Sequence, residues 1–137
     1  MDAVILAAGL GTRLRPHTLT TPKPLLPVRG RPILDWTLGA LPKSIDRVVV
    51  VVNYLAEQIE DYLRGQTHFR DWTTVFQDQP RGTGDALRRC RNQVRSERFL
   101  VINADDLFGA ADLARPATRP LMVGFGRMHS RPVRECR

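Results

Sequence analysis

The chain has 137 residues, 42% of them hydrophobic, with 21 Lys and Arg against 14 Asp and Glu for a formal net charge of +7. That length holds one domain with a real core, and no run of 18 apolar residues offers a membrane span. The charge is uneven: residues 1–114 are close to neutral, and six arginines fall in residues 115–137 against Glu135 alone. Because arginine is preferred to lysine along the whole chain, the basicity does not mark a nucleic-acid face.

Asp2–Ala8 is expected as the first strand, near-continuous in apolar residues as a parallel strand covered on both faces requires. Asp2 directly after Met1, with no basic stretch ahead of the apolar run, argues against a secretory signal and for the cytoplasm. The loop 9–31 follows, long, polar and rich in proline and arginine, and loops of that size in compact domains are usually functional. Gly9-Leu10-Gly11-Thr12 lets backbone N–H groups approach a ligand, and phosphate suits such a turn. Arg13 adds a planar forked cation, and Lys23, held between Pro22 and Pro24, a compact one. The string is neither GxGxxG nor the GxxxxGK[ST] phosphate loop, since Leu14 stands where the third glycine would be.

Pro32 favours the first turn of a helix whose Ile33, Leu34, Leu38 and Leu41 share a face, with Trp36 extending it into the core and Pro42 closing it. A second strand, Asp46–Val52, is five consecutive valines long in its apolar part. Ala56–Gly65 reads as a helix with Leu55, Ile59, Tyr62 and Leu63 inward, Glu57, Glu60, Asp61 and Arg64 solvated, and Gly65 as its stop. Thr73–Gln77 is the third strand, Gly84–Val94 a helix, Arg98–Ala104 the fourth strand and Leu121–Phe125 a fifth. This alternation predicts an α/β fold: a Rossmann-like, doubly wound, mostly parallel sheet in three α/β/α layers, incomplete in this chain, with its ligand site at the carboxyl ends of the strands. Three segments converge on that edge: 9–23, 77–85 and 105–106. A nicotinamide site is a poor match, because Asn53 and Tyr54 stand where an acidic residue would grip a ribose.

In Gln77–Leu87, QDQPRGTGDAL, the glutamines can hydrogen-bond a base edge; the plainer reading is a turn with Thr83 capping a helix. In Val101–Gly109, VINADDLFG, a buried strand ends in two carboxylates, a typical place to hold Mg²⁺; the plainer reading is Asp106 capping the next turn. Cys90 and Cys136 lack the partners for a disulfide framework or a zinc site.

The string LAAGLGTRLRPHTLTTPKPLLPVRGRPIL resembles the amino-terminal signature of the sugar-1-phosphate nucleotidyltransferases, or nucleotide-sugar pyrophosphorylases. The resemblance implies that a sugar 1-phosphate attacks the α-phosphorus of a nucleoside triphosphate, with Mg²⁺ bridging phosphates and pyrophosphate leaving. It implies Gly9 and Gly11 with Thr12 as the phosphate cradle, Ala8 in the nucleotide site beside them, Arg13 on the leaving phosphates, and Lys23 on the α-phosphate and the incoming sugar phosphate. It also implies Gln77, Gly82 and Thr83 at the nucleoside and Asp105 on the metal, with Gln79 a second contact and Asp106 a neighbour. His17 and Arg15 are expected to be loop or surface residues. GTGDA beside Gln77 looks more like the uridylyl and thymidylyl branches than the guanylyl one, so UTP or dTTP is the expected partner, with the sugar unread.

The resemblance covers residues 1–113 and then fades. The expected division is therefore a nucleotide-binding portion, 1–126, and a basic tail, 127–137, with the chain an amino-terminal portion through truncation or a frame shift near residues 114 to 126. On that view a non-catalytic nucleotide-binding module is the alternative to an enzyme. No membrane and no specific nucleic acid is expected as a partner, and self-association into a homo-oligomer is left open.

Overall fold

A computed structural model of the protein describes residues 1–79, 81–118 and 125–127. Five strands form one sheet: β1 (Asp2–Leu6), β4 (Arg47–Val52), β5 (Asp71–Phe76), β6 (Arg98–Asn103) and β7 (Phe125–Arg127). Their order is β5-β4-β1-β6-β7, with every pair parallel except β6 and β7. Two short strands, β2 (Pro27–Val28) and β3 (Arg31–Pro32), make a separate antiparallel hairpin. The helices are α1 (Ile33–Ala40), α2 (Ala56–Gly65), α3 (Thr83–Arg89) and α4 (Ala110–Thr118).

The valine run of β4 explains the sheet's centre. Every residue of β4 is buried, because β1 and β5 flank it and helices cover both faces. Val48, Val50 and Val52 join Leu34 and Leu38 of α1, Ile59 and Leu63 of α2 and Leu113 of α4 in one core. Val49 and Val51 point the other way, toward Ala86 and Cys90. Successive valines therefore serve opposite layers, as the two-residue period of a strand requires. The chain winds outward from β1 through α1, β4 and α2 to β5 on one face, then returns through α3 on the other face to β6 beside β1. That reversal leaves a crevice at the carboxyl ends of β1 and β6, where open α/β sheets hold ligands.

Several sequence expectations are refined. The helix expected over 84–94 is α3 followed by a 3₁₀ turn at Cys90–Asn92. Gly82, at φ +91°, stands at the head of α3 with no side-chain cap, so Thr83 is the first helical residue rather than the cap. Gly65 is the last residue of α2 and the stop is Gln66 in extended backbone, not a left-handed glycine. Glu60 is not simply solvated: it accepts a hydrogen bond from the Thr74 hydroxyl at 2.8 Å. Trp36 does not enter the core; its indole donates to the Val28 carbonyl at 3.0 Å and lies under the Arg31 guanidinium, which fastens the hairpin to α1. Of the expected fifth strand, 121–124 lie outside the described residues; the strand found is Phe125–Arg127, antiparallel. The tail after Arg127 also lies outside them.

Buried charges at the amino-terminal end of the sheet are satisfied. Arg47 donates through Nε to Asp71 at 3.0 Å and through Nη1 to the Gln93 carbonyl. Burial raises the Asp2 carboxyl, but bonds from the Arg95 and Ser96 amides and the Ser96 hydroxyl outweigh it, and the net shift is downward. Burial pushes the Cys90 thiol up to about 11, which makes it an inert core residue.

A second polar cluster joins α1 to α2. Asp35 accepts from the Tyr62 hydroxyl at 2.7 Å, pairs with Arg31 and stands 3.1 Å from His68 Nε2. Burial alone would raise the Asp35 carboxyl; these partners outweigh it and hold it at about 2, below its ordinary 3.8.

Leu34→Ala, at a fully buried site, is expected to cost about 3 kcal/mol of unfolding free energy by denaturant titration, with an unchanged slope. Because the folded Asp35 carboxyl is depressed, its contribution is complete above about pH 4 and is lost as pH falls from there toward about 2. Melting temperature against pH should therefore decline less steeply over that window in Asp35→Asn than in the unsubstituted chain.

Candidate active site

Parallel pairing brings the ends of β1, β4 and β6 to the same level, with Leu6 beside Val51 on one side and Asn103 on the other. The backbone continues the ladder one step further, through Ala7 N–H to the Val51 carbonyl at 2.8 Å and Ala104 N–H to the Leu6 carbonyl at 3.0 Å. Beyond this edge lies a cavity of about 270 Å³ lined by Leu6 to Gly9, Lys23, Pro24, Gln77, Gly82, Thr83, Ala86 and Asn103 to Asp105. Of the residues predicted from sequence, it gathers Ala8, Gly9, Lys23, Gln77, Gly82, Thr83 and Asp105. Gly11, Thr12 and Arg13 are not among its lining.

Gly11 shapes the loop instead. Its φ is +61°, and a Cβ there would stand 2.8 Å from Thr18 Cγ2 and 3.4 Å from Lys23 Cβ. Thr18, buried, donates its hydroxyl to the Gly11 carbonyl at 2.7 Å. A left-handed turn without a side chain thus lets the loop fold back so that Lys23 reaches the cavity. Thr18 was not singled out from sequence, because a threonine in a polar loop gives no sign that its methyl group will be buried.

Arg13 lies exposed in a short 3₁₀ turn, Thr12–Leu14. Arg15 and His17 are exposed as well, in keeping with the surface or loop-packing expectation. The middle of the loop is fastened to α2 and the segment ahead of it: the Tyr54 hydroxyl donates to the Leu19 carbonyl at 2.7 Å and Gln58 to that of Thr20 at 2.8 Å.

Across the cavity, Lys23 Nζ pairs with Asp105 Oδ2. The neighbouring Asp106 carboxylate accepts from Asn103 Nδ2 at 3.1 Å, and the Asp106 carbonyl from Thr37 at 3.3 Å, which tie the end of β6 to α1. Among the described residues, no group of three or more His, Cys, Asp or Glu side chains is placed to hold a metal ion.

Gln77 is almost wholly buried, and its backbone is clamped. Its N–H donates to the Val52 carbonyl at 2.8 Å, and its carbonyl accepts from Asn53 Nδ2. Its Nε2 donates to the Gly82 carbonyl at 3.3 Å and to Asp85 Oδ2 at 3.0 Å. Arg89 holds Asp85 from one turn on, Nε to Oδ2 at 3.1 Å, and pairs with Asp78 as well. The Asp85 carboxyl is lowered chiefly by the bond from Gln77, then by that from Arg89.

The family model for nucleotidyl transferases matches residues 2–119. The chain belongs to that family. Among curated relatives it is 39% identical over 108 residues to the bifunctional protein GlmU of Methanocaldococcus jannaschii, an alignment covering 79% of this chain and 26% of that one. It is 35% identical over 109 residues to D-glycero-alpha-D-manno-heptose 1-phosphate guanylyltransferase of Aneurinibacillus thermoaerophilus, covering 79% and 47%. Among solved structures, UDP-glucose pyrophosphorylase complexed with UDP-glucose superposes with a TM-score of 0.68 at 26% identity, over 77% of this chain and 46% of that one. The heptose 1-phosphate guanylyltransferase among these relatives is named for a sugar 1-phosphate, and the likeness to the solved structure bears out the Rossmann-like fold. The chain spans between about a quarter and a half of the length of the relatives it matches.

Gly11→Ala is expected to cost about 1–2 kcal/mol for its left-handed conformation alone, with the Thr18 contact adding to it. The check is a denaturant titration, alongside limited proteolysis that should show faster cleavage within residues 9–31.

Proposed function

We propose that this chain carries the nucleotide site of an enzyme that joins a nucleoside triphosphate, UTP or dTTP by preference, to a sugar 1-phosphate, giving a nucleotide sugar and pyrophosphate. The observation that carries this reading is the meeting of Lys23, Gln77 and Asp105, from three separate segments, around one cavity at the sheet's switch point. The preference for a uracil or thymine base rests on Gln77 beside the Gly82-Thr83 turn.

In this reading the turn from Ala8 to Thr12 offers backbone N–H groups to the phosphates. Lys23 leaves Asp105 to neutralise the α-phosphate and the incoming sugar phosphate. Arg13 reaches in from the rim, where its free exposure gives it room to move, and meets the departing β- and γ-phosphates. An in-line displacement of this kind requires reactants held in position and charge neutralised, not a covalent nucleophile.

The donor set fits Mg²⁺. Asp105 presents its carboxylate to a cation already, the Lys23 ammonium, and Mg²⁺ takes one or two carboxylates while water and phosphate oxygens complete its shell. Asp105 would hold it, with Asp106 nearby. When bound, it would offset the charge of the triphosphate.

The relatives' names carry guanylyl as well as UDP chemistry, so the base is settled by experiment. No described helix is long and apolar enough to cross a membrane; the cytoplasm is the proposed compartment. A second reading of the same cavity is a nucleotide-binding module without turnover.

The test is a thermal-shift titration with UTP, dTTP, GTP and ATP, with and without Mg²⁺, beside an assay of pyrophosphate release with sugar 1-phosphates. Binding should stabilise the chain by about 2.7 kcal/mol at a hundredfold excess over Kd. Lys23→Met should remove most of the nucleotide shift and lower any turnover by about a hundredfold or more. A shift without pyrophosphate release would favour the second reading, and no shift with any nucleotide would overturn both.

A further inference from the structure

The polarity of the Gln77 amide is fixed by what surrounds it. Two acceptors, the Gly82 carbonyl and Asp85 Oδ2, converge on one amide atom at 3.3 and 3.0 Å, and only an NH₂ group can satisfy both. The flipped amide would set its oxygen against a carbonyl oxygen and a carboxylate. Gln77 lines the cavity and its main-chain groups are already bonded to Val52 and Asn53, so Oε1 is the polar atom it has left for a ligand. No buried side-chain polar atom among the described residues lacks a partner, and no described donor reaches Oε1, so that oxygen belongs to the open cavity.

Accepting the nucleotide reading above, on which this rests, we infer that Asp85, held by Arg89, is a positioning residue that turns the Gln77 oxygen toward the base. The site then takes bases that present an N–H there, uracil, thymine or guanine, over those that present a ring acceptor, cytosine or adenine. The two halves of the device lie on different elements. Asp85 and Arg89 are one turn apart on α3, so the helix sets the carboxylate's position. Gln77 directly follows β5, pinned to the end of β4. Base polarity is therefore set by how α3 docks on the strand ends and not by the glutamine alone.

The experiment uses the full chain and two pyrimidine triphosphates that differ in this respect, UTP and CTP, with Mg²⁺. Dissociation constants are measured by calorimetry for the unsubstituted chain, Asp85→Ala, Asp85→Asn and Arg89→Gln. The unsubstituted chain should prefer UTP by about tenfold, the worth of one hydrogen bond made against one left unmade. Asp85→Ala should bring that ratio close to one, because the freed amide can present either end. Asp85→Asn should restore most of it, since an asparagine oxygen can still accept from Nε2. Arg89→Gln, which leaves Asp85 in place but loosens it, should fall between. The Gln77 side-chain NH₂ resonances give a readout that needs no nucleotide: the two protons should be widely separated in the unsubstituted chain and converge in Asp85→Ala.

Equal affinity for UTP and CTP in the unsubstituted chain would overturn this inference and leave the nucleotide reading standing. So would unchanged selectivity and unchanged Gln77 resonances in both Asp85→Ala and Arg89→Gln. Absence of binding by any triphosphate would overturn the nucleotide reading itself, and the inference with it.

Discussion

The contact on which this site depends is the ion pair between Lys23 and Asp105, two residues 82 positions apart in the chain. Lys23 rides on a loop with little regular structure, and Asp105 follows the end of β6. Joined, they draw the loop over the crevice between β1 and β6 and give the cavity its polar wall. Each side chain keeps about a third of its surface exposed, so the pair is accessible to water and to competing ions.

Behind that contact, the rigid part of the molecule is layered. The valines of β4 and the apolar residues of β1 and β6 make a buried floor, covered on one face by α1, α2 and α4 and on the other by α3 among the described residues. The loop is less deeply rooted. It depends on the buried Thr18, on the room that Gly11 leaves for it, and on two side chains donating to its main-chain carbonyls from Tyr54 and Gln58. A stiff floor beneath a loop held by a few polar bonds suits a site that must admit a large triphosphate and then grip it.

How much of this was legible beforehand follows from the kind of signal each part carries. The valine run, the loop's length and the strand-helix alternation are local patterns, and they gave the four parallel strands, the first three helices and the edge where the site lies, but not the hairpin β2–β3 or α4. Lys23, Gln77 and Asp105, which the cavity brings together, were singled out because each ends or follows a recognisable strand or stands between two prolines. What was missed is pairwise. Thr18 is buried only because Gly11 has no side chain, and Asp85 matters only because the Gln77 amide happens to reach it. Neither fact is written in the residue itself. The plainer reading of Thr83, as a helix cap, rests on threonine's preference for that position, whereas the glycine ahead of it took the place with a backbone angle that threonine tolerates poorly.

The register of β6 against β1 has one more consequence. Phe99, Leu100, Val101 and Ile102 lie beside Asp2, Ala3, Val4 and Ile5, and only in that alignment do Leu100 and Ile102 face one core while Phe99 faces the other. A slip of a single residue would turn these side chains to the wrong layers and carry Asp105 about 3.3 Å along the strand direction. The greasy alternation of β6 is thus a ruler: its apolar residues, none of which can touch a phosphate, fix where the carboxylate beyond them stands.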